Sequence, residues 1–397
     1  MRTFLSLSLA VAFALPFSAS ASSKFEVTGW IPYWRSATGT GDTLPHLNSL
    51  SEVNPFVYSV KTNGTIVDNG SLDEEPWLSF IAEAKKQKVR VIPTIMWSNG
   101  DAIHAILSSG PLRRSFEDHI VKLVKQNKFD GIDIDFEGKH AEDKDNFSIF
   151  LKGLYQRIGT KWLMCTIESR TPNESRYFGT DIPPDATIYA NDLVAINKYC
   201  DRVRVMAYDQ QGVDQHLATL AASSSQLYAP VGDPAWVEKV VNLMSKNIKK
   251  SKMLIGVPTY GYEYDVTAYA NKQYLYDILW TFNPGYATSI AAQYGITPTR
   301  NAAGEMYFTY TPNANVASTS PTSLGPNSAL LASAASDLYA TTYNSHLAFR
   351  LIDWSDAESI RQKIELAKEL GIRGISIFKL DGGQDPKLWS VLEGVKK

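Results

Sequence analysis

The chain has 397 residues, 44% hydrophobic and 20% charged, with a formal net charge of −2. That much apolar material fills a large folded core and excludes a disordered or fibrous chain. The near-neutral charge, with no basic block, excludes the concentrated positive face that nucleic-acid binding requires.

The chain opens with Arg2, an apolar run from Phe4 to Phe17 and the small residues Ala19-Ser20-Ala21. This is the pattern of a secretory signal peptide over residues 1–21. The run is shorter than the roughly 20 residues that span a bilayer. The expectation is an exported chain, extracellular or periplasmic, with no membrane span. Cys165 and Cys200, the two cysteines, exclude a disulfide framework and a zinc site built from cysteines alone. In an oxidising compartment they either pair or remain two small buried apolar residues, and the sequence leaves both open.

Short β-branched runs then alternate with longer amphipathic stretches. The strands predicted are Val27–Tyr33, Phe56–Val60, Val89–Ile95, Gly131–Phe136, Trp162–Ile167, Val203–Ala207, Met253–Thr259 and Gly374–Phe378. Between them the apolar residues recur at helical spacing: Phe116, Ile120, Leu123 and Val124; Phe147, Phe150, Leu151, Leu154 and Ile158; Ile360, Ile364, Ala367 and Leu370. Strand–helix alternation of this kind predicts parallel strands with crossover helices. Eight strands fit a closed (β/α)8 TIM barrel over residues 25–397. An open doubly wound sheet is the competing arrangement, and no glycine-rich dinucleotide loop follows the first strand to support it. The segment 262–343 is too long for a loop and rich in aromatics, so it reads as a small subdomain inserted after strand seven. Within it, the Ser/Thr/Ala/Asn/Pro-rich stretch Thr311–Ser328 reads as a mobile loop.

The chemistry concentrates in Phe129-Asp130-Gly131-Ile132-Asp133-Ile134-Asp135-Phe136-Glu137. Side chains alternate along a strand, so Asp133, Asp135 and Glu137 share the face toward the barrel axis. Three stacked carboxylates cannot all ionise easily; like charge and burial raise at least one pKa. A carboxyl kept protonated near neutral pH is what a general acid needs. Glu137, nearest the carboxyl end of the strand, is the expected acid, with Asp135 and Asp133 as a proton-sharing pair behind it. Asp130 has the opposite parity and reads as structural. An acidic strand can also bind magnesium or calcium, but one strand face wraps an ion poorly; no metal and no cofactor are expected.

The run FDGIDIDFE resembles the signature of glycoside hydrolase family 18, the chitinase family. Met206-Ala207-Tyr208-Asp209 is similar to the end of that family's sixth strand, and Gly256-Val257-Pro258-Thr259-Tyr260-Gly261 to its seventh. The resemblance spans Val27 to about Trp389. It implies substrate-assisted, retaining hydrolysis without an enzyme nucleophile, an exception to the two-carboxylate scheme. Glu137 would act as acid and then base. Asp135 would orient the substrate's acetamido group, Asp133 would tune Asp135, Tyr208 would hold the acetamido carbonyl, and Asp209 the distorted sugar. Met206 and the aromatics at strand ends, Tyr33, Trp34, Trp97, Tyr260 and Tyr262, are the candidate sugar contacts. Phe378 stands where the family usually has a tryptophan, a departure that weakens stacking or changes the substrate. Lys379 and Asp381 follow it. Glu168 and Arg170 end the fifth strand, and Arg170 is a candidate partner for a substrate carboxylate. The expected function is a secreted, monomeric glycoside hydrolase that cleaves β-1,4 bonds of N-acetylhexosamine polysaccharides or oligosaccharides of the chitin type. Peptidoglycan or spore-cortex glycan is the alternative substrate, and a catalytically weak chitin-binding lectin is the rival of another class.

Overall fold

The computed structural model describes residues 24–224, 226–271, 273–312 and 326–395. The signal-peptide residues 1–21 and most of the Thr311–Ser328 stretch lie outside the described residues.

Eight parallel strands close a barrel: β1 (Glu26–Pro32), β2 (Glu52–Val60), β3 (Thr94–Trp97), β4 (Gly131–Phe136), β5 (Trp162–Glu168), β6 (Arg202–Met206), β7 (Met253–Pro258) and β8 (Gly374–Phe378). Each strand pairs with its chain neighbours, and β8 returns to β1, as in Val27 beside Ile375. Helices cover the outside, and the predicted periodic faces are the packed ones. Phe116, Ile120 and Val124 of Gly110–Gln126 and Phe147, Phe150, Leu151 and Leu154 of Lys144–Ile158 join one continuous core with the outward residues of the strands. The expected α/β barrel is therefore the fold found.

Two strands differ from their predicted limits. The strand predicted at Val89–Ile95 is two pieces, Arg90–Val91 and β3, separated by Ile92 and Pro93. Pro93 has no N–H to donate to a ladder. β2 begins at Glu52, earlier than its apolar run, because its inward polar residues satisfy one another: the Asn54 amide donates to Glu52 (2.8 Å) and to the Ile92 carbonyl (2.8 Å). Cys165, facing outward on β5, is joined to Cys200 beyond the helix Leu193–Tyr199, with Cα atoms 6.0 Å apart.

Between β7 and β8 the chain builds a second, antiparallel sheet. Its strands run in the order Tyr274–Phe282, Gly261–Tyr269, His346–Trp354, Met306–Tyr310, Thr299–Arg300. Helices Pro284–Gln293 and Leu331–Tyr343 accompany it. A buried ionic joint fastens it to the barrel. The Glu305 carboxylate accepts from the backbone N–H groups of Val231 (2.7 Å) and Gly232 (3.0 Å) and lies 3.4 Å from the Lys363 ammonium. Among the described residues no helix is long and apolar enough to cross a membrane.

Candidate active site

The carboxyl end of β4 supplies the acidic residues. Asp133 lies deepest, with no exposure, and is well compensated. It accepts hydrogen bonds from Thr94 (2.8 Å), Thr166 (3.0 Å) and the Trp30 indole (3.3 Å), and the Arg204 guanidinium lies 2.8 Å away. Arg204 also pairs with Glu52. This corrects the expectation that Asp133 and Asp135 share a proton: Asp133 has its own cation, and the pressure to hold a proton falls on Asp135. Sequence reasoning missed Arg204, although the alternation Arg202, Arg204, Met206 along β6 announces inward-facing charges that require inward-facing partners.

Asp135 is 4% exposed, and its Oδ1 has no hydrogen-bond partner among the described residues. Burial first, then the charges of Glu137 and Asp133, push its carboxyl well above the usual range, against the opposing pull of Lys139. Glu137 ends the row. Burial and then Glu168 raise its pKa, while Lys139 lowers it. Lys139, buried beside them, was not singled out in the sequence. Its ammonium donates to the Phe136 carbonyl, lies 3.8 Å from Glu168 and sits 4.9 Å above the Phe147 ring. The Glu168 carboxylate accepts from the Asn191 amide (2.7 Å).

Opposite the acids, β6 and β8 contribute an aromatic floor. The Tyr208 and Phe378 rings stack at 5.6 Å and 18°. Trp30, Phe56 and Tyr260 meet Phe378 edge-on at 5.9, 6.1 and 6.1 Å. Gly256 makes room for this: a Cβ there would lie 2.5 Å from Cε1 of Tyr208. Burial, followed by Asp135 and Asp209, holds the Tyr208 phenol well above its ordinary pKa. It remains a proton-bearing donor, and its hydroxyl has no partner among the described residues. Met206 packs at the edge of the same aromatic cluster.

Asp209 turns the chain in the left-handed region, at φ 57°. Its Oδ1 accepts from the hydroxyls of Tyr260 (2.5 Å) and Tyr262 (2.7 Å). Those two tyrosines thus position Asp209 and wall a cavity of about 430 Å³ that Trp34, Arg35, Phe378 and Lys379 also line. Trp34 is half exposed there, at 50%. Asn283, from the inserted sheet, bonds Lys379 (2.9 Å) and Asp381 (3.0 Å) and fixes both at the cavity edge.

One expectation fails. Trp97 is 2% exposed and packs between Phe116 and Phe136 under the helices, at 5.5 and 5.4 Å. It shares the outward parity of Ile95, so it offers no face to a sugar. Arg170 lies over the Tyr189 ring at 3.6 Å and lines a separate depression with Lys144 and Lys246. In the cleft cavity, Arg35 has no acidic partner among the described residues.

Comparison with known proteins agrees with this fold. The family described as Glycosyl hydrolases family 18 matches residues 29–383. The glycosylase YvbX of Bacillus subtilis is 27% identical over 235 residues, 57% of this chain and 63% of that protein. Chitinase A1 of Niallia circulans is 24% identical over 355 residues, 69% of this chain and 48% of that protein. The chain thus spans between about half and two thirds of the length of these relatives. Among solved structures, the spore cortex-lytic enzyme SleL of Bacillus cereus superposes with a TM-score of 0.68 at 18% identity, covering 95% of this chain and 76% of that one. A class V chitinase from Pseudomonas fluorescens Pf-5 does so at 0.68 and 21%, covering 94% of this chain and 100% of that one. The match over residues 29–383 makes this chain a member of glycosyl hydrolases family 18.

Proposed function

We propose that this chain hydrolyses β-1,4 bonds of N-acetylhexosamine polymers of the chitin type by substrate-assisted, retaining catalysis. The observation that carries this reading is the Asp135–Glu137 pair. Both carboxyls are pushed toward their protonated forms on one strand face, opposite the Tyr208–Phe378 floor. Glu137 donates its proton to the glycosidic oxygen as the bond to the anomeric carbon breaks. The substrate's own acetamido oxygen forms the new bond to that carbon. Tyr208, whose hydroxyl is free, donates to this oxygen and aligns it. Asp135, with an unpartnered oxygen, accepts the acetamido N–H. The positive charge that develops there favours its ionised form. The Glu137 carboxylate then takes a proton from the water that attacks the same carbon from the side the leaving group vacated, and the bond from the acetamido oxygen to that carbon breaks. Two displacements leave the anomeric configuration retained. Asp209 accepts from a sugar hydroxyl, and Trp34 stacks on a neighbouring ring.

The reading includes export. The signal-like residues 1–21 support it, as does the Cys165–Cys200 pair, a crosslink that an oxidising compartment sustains.

One observation favours peptidoglycan or cortex glycan as a second reading. Arg35 lines the cleft cavity without an acidic partner among the described residues, placed to receive the carboxylate of a lactyl-bearing sugar.

The test is product release from N-acetylglucosamine oligomers and from purified peptidoglycan, with the parent beside Glu137→Gln. The parent should cleave, and the variant should lose about 10²–10⁴-fold in rate. Binding of either glycan without cleavage by either protein would make the barrel a lectin and overturn the proposal.

A further inference from the structure

A second group of ligating side chains lies outside the cleft. Helix Gly100–Ser108, which follows β3, carries His104. The connection between β4 and helix Lys144–Ile158 carries His140 and Glu142. One ligating atom from each of these three lies within 4.8 Å of the other two. The Glu142 carboxylate is 3.5 Å from Nδ1 of His104 and 3.9 Å from Nδ1 of His140. The two imidazoles lie nearly parallel, 23° apart.

The backbone is built to allow this approach. A Cβ on Gly100 would stand 2.8 Å from Cδ2 and 2.9 Å from Nε2 of His140. More carboxylates stand behind the rings. Asp101 lies 3.2 Å from Nε2 of His140. Asp143, fully buried, lies 3.0 Å from Nδ1 of His104. Its Oδ1 also accepts from Asn146 (2.9 Å), while its Oδ2 is buried with no hydrogen-bond partner among the described residues. Nδ1 of His104 therefore faces two carboxylates, and its single proton serves only one of them. A cation at the centre of the group serves both carboxylates and both rings.

We propose that His104, His140 and Glu142 bind a divalent transition-metal ion, zinc by the chemistry of the set, with the Asp143 carboxylate beside it as the fourth ligand. Two imidazoles and a carboxylate suit zinc and its neighbours, whereas magnesium and calcium favour all-oxygen sets. Zinc holds such ligands at about 2.0–2.2 Å, so their atoms stand roughly 3.3 Å apart. The Glu142–His104 separation is already close to that, and His140, half exposed, swings inward to complete it. The ion would tie the helix after β3 to the segment just beyond Glu137, the one that also holds Lys139.

The experiment uses the untagged chain, freed of metal with a chelator, and titrates zinc chloride and cobalt chloride by calorimetry and visible absorption. One zinc ion should bind per chain and raise Tm, and cobalt should develop the intense visible bands of a tetrahedral site. His104→Ala and His140→Ala should each weaken zinc binding at least tenfold. Glu142→Gln, an exposed change that leaves the fold alone, should weaken it as well. His140→Ala and Glu142→Gln should match the parent's Tm in chelator, whereas His104→Ala, which also removes a partner from the buried Asp143, should lower it. The proposal is overturned if zinc does not bind at 100 µM, if the variants bind it as the parent does, or if magnesium raises Tm as much as zinc.

Discussion

The two ends of the barrel carry the same kinds of ionisable group and use them in opposite ways. At the amino ends of the strands every buried carboxylate faces guanidinium. Glu26 lies among Arg202 (2.7 Å), Arg90 (3.4 Å) and Arg373 (3.9 Å), and Glu52 between Arg90 (3.1 Å) and Arg204. At the carboxyl ends, Asp135, Glu137 and Glu168 gather around Lys139, and Asp209 is held by the hydroxyls of Tyr260 and Tyr262. Compensated charge holds a shape. Under-compensated charge holds protons, and a held proton is what acid catalysis requires. Arg204 is the boundary between the two regimes, because one guanidinium reaches Glu52 below and Asp133 above.

The sharpest way to break this contrast is to remove that boundary. Arg204→Ala leaves the fully buried Asp133 without its cation and the fully buried Glu52 with Arg90 alone. Losing one partner of a buried pair costs about 3–5 kcal/mol, readable in urea unfolding. A loss below about 1 kcal/mol would mean that the lower network is not holding the barrel.

The opposite sign is expected at the mouth. The Asp135 carboxyl has a folded-state pKa raised above its unfolded value. Its contribution to stability is complete below the ordinary carboxylate range and is lost as pH rises through the raised value. Asp135→Asn removes the charge and keeps the shape. Above neutral pH it should be more stable than the parent by roughly 1–2 kcal/mol, and near pH 4 the two should converge, while activity falls. Melting curves against pH decide this. A variant less stable than the parent at every pH would contradict the assignment of Asp135 as a strained acid.

The smallest effect expected is at the cleft rim. Arg35→Ala should raise KM for peptidoglycan roughly tenfold, the worth of one partly exposed charge-assisted hydrogen bond, and leave neutral N-acetylglucosamine oligomers unchanged. Equal losses on both substrates would remove the case for an anionic sugar.

The acidic row of β4 was legible because strand alternation fixes which face Asp133, Asp135 and Glu137 share. The barrel was legible because its helices keep one apolar side. What the sequence concealed were contacts across the barrel. Arg204 meets Glu52, 152 residues away, and no local pattern joins them. Trp97 was misassigned for a related reason. The strand predicted to stop at Ile95 runs through Trp97, and parity then turns the ring outward. The Cys165–Cys200 bond, between residues 35 apart, depends on how β5 and the end of helix Leu193–Tyr199 are brought together, which composition does not show. The strand His346–Trp354 escaped notice because its partners lie on both sides of a long excursion.

The joint between the inserted sheet and the barrel sets how far this chain can be pared down. Asn283 steadies Lys379 and Asp381 at the cleft, and Glu305 meets Lys363, which has no exposure. Excising the insertion to obtain a minimal barrel would strand a lysine in an apolar interior and release two charged residues into the groove. Transplanting another insertion would change the groove's edge and its footing together, because the insertion and the barrel fit as a matched pair.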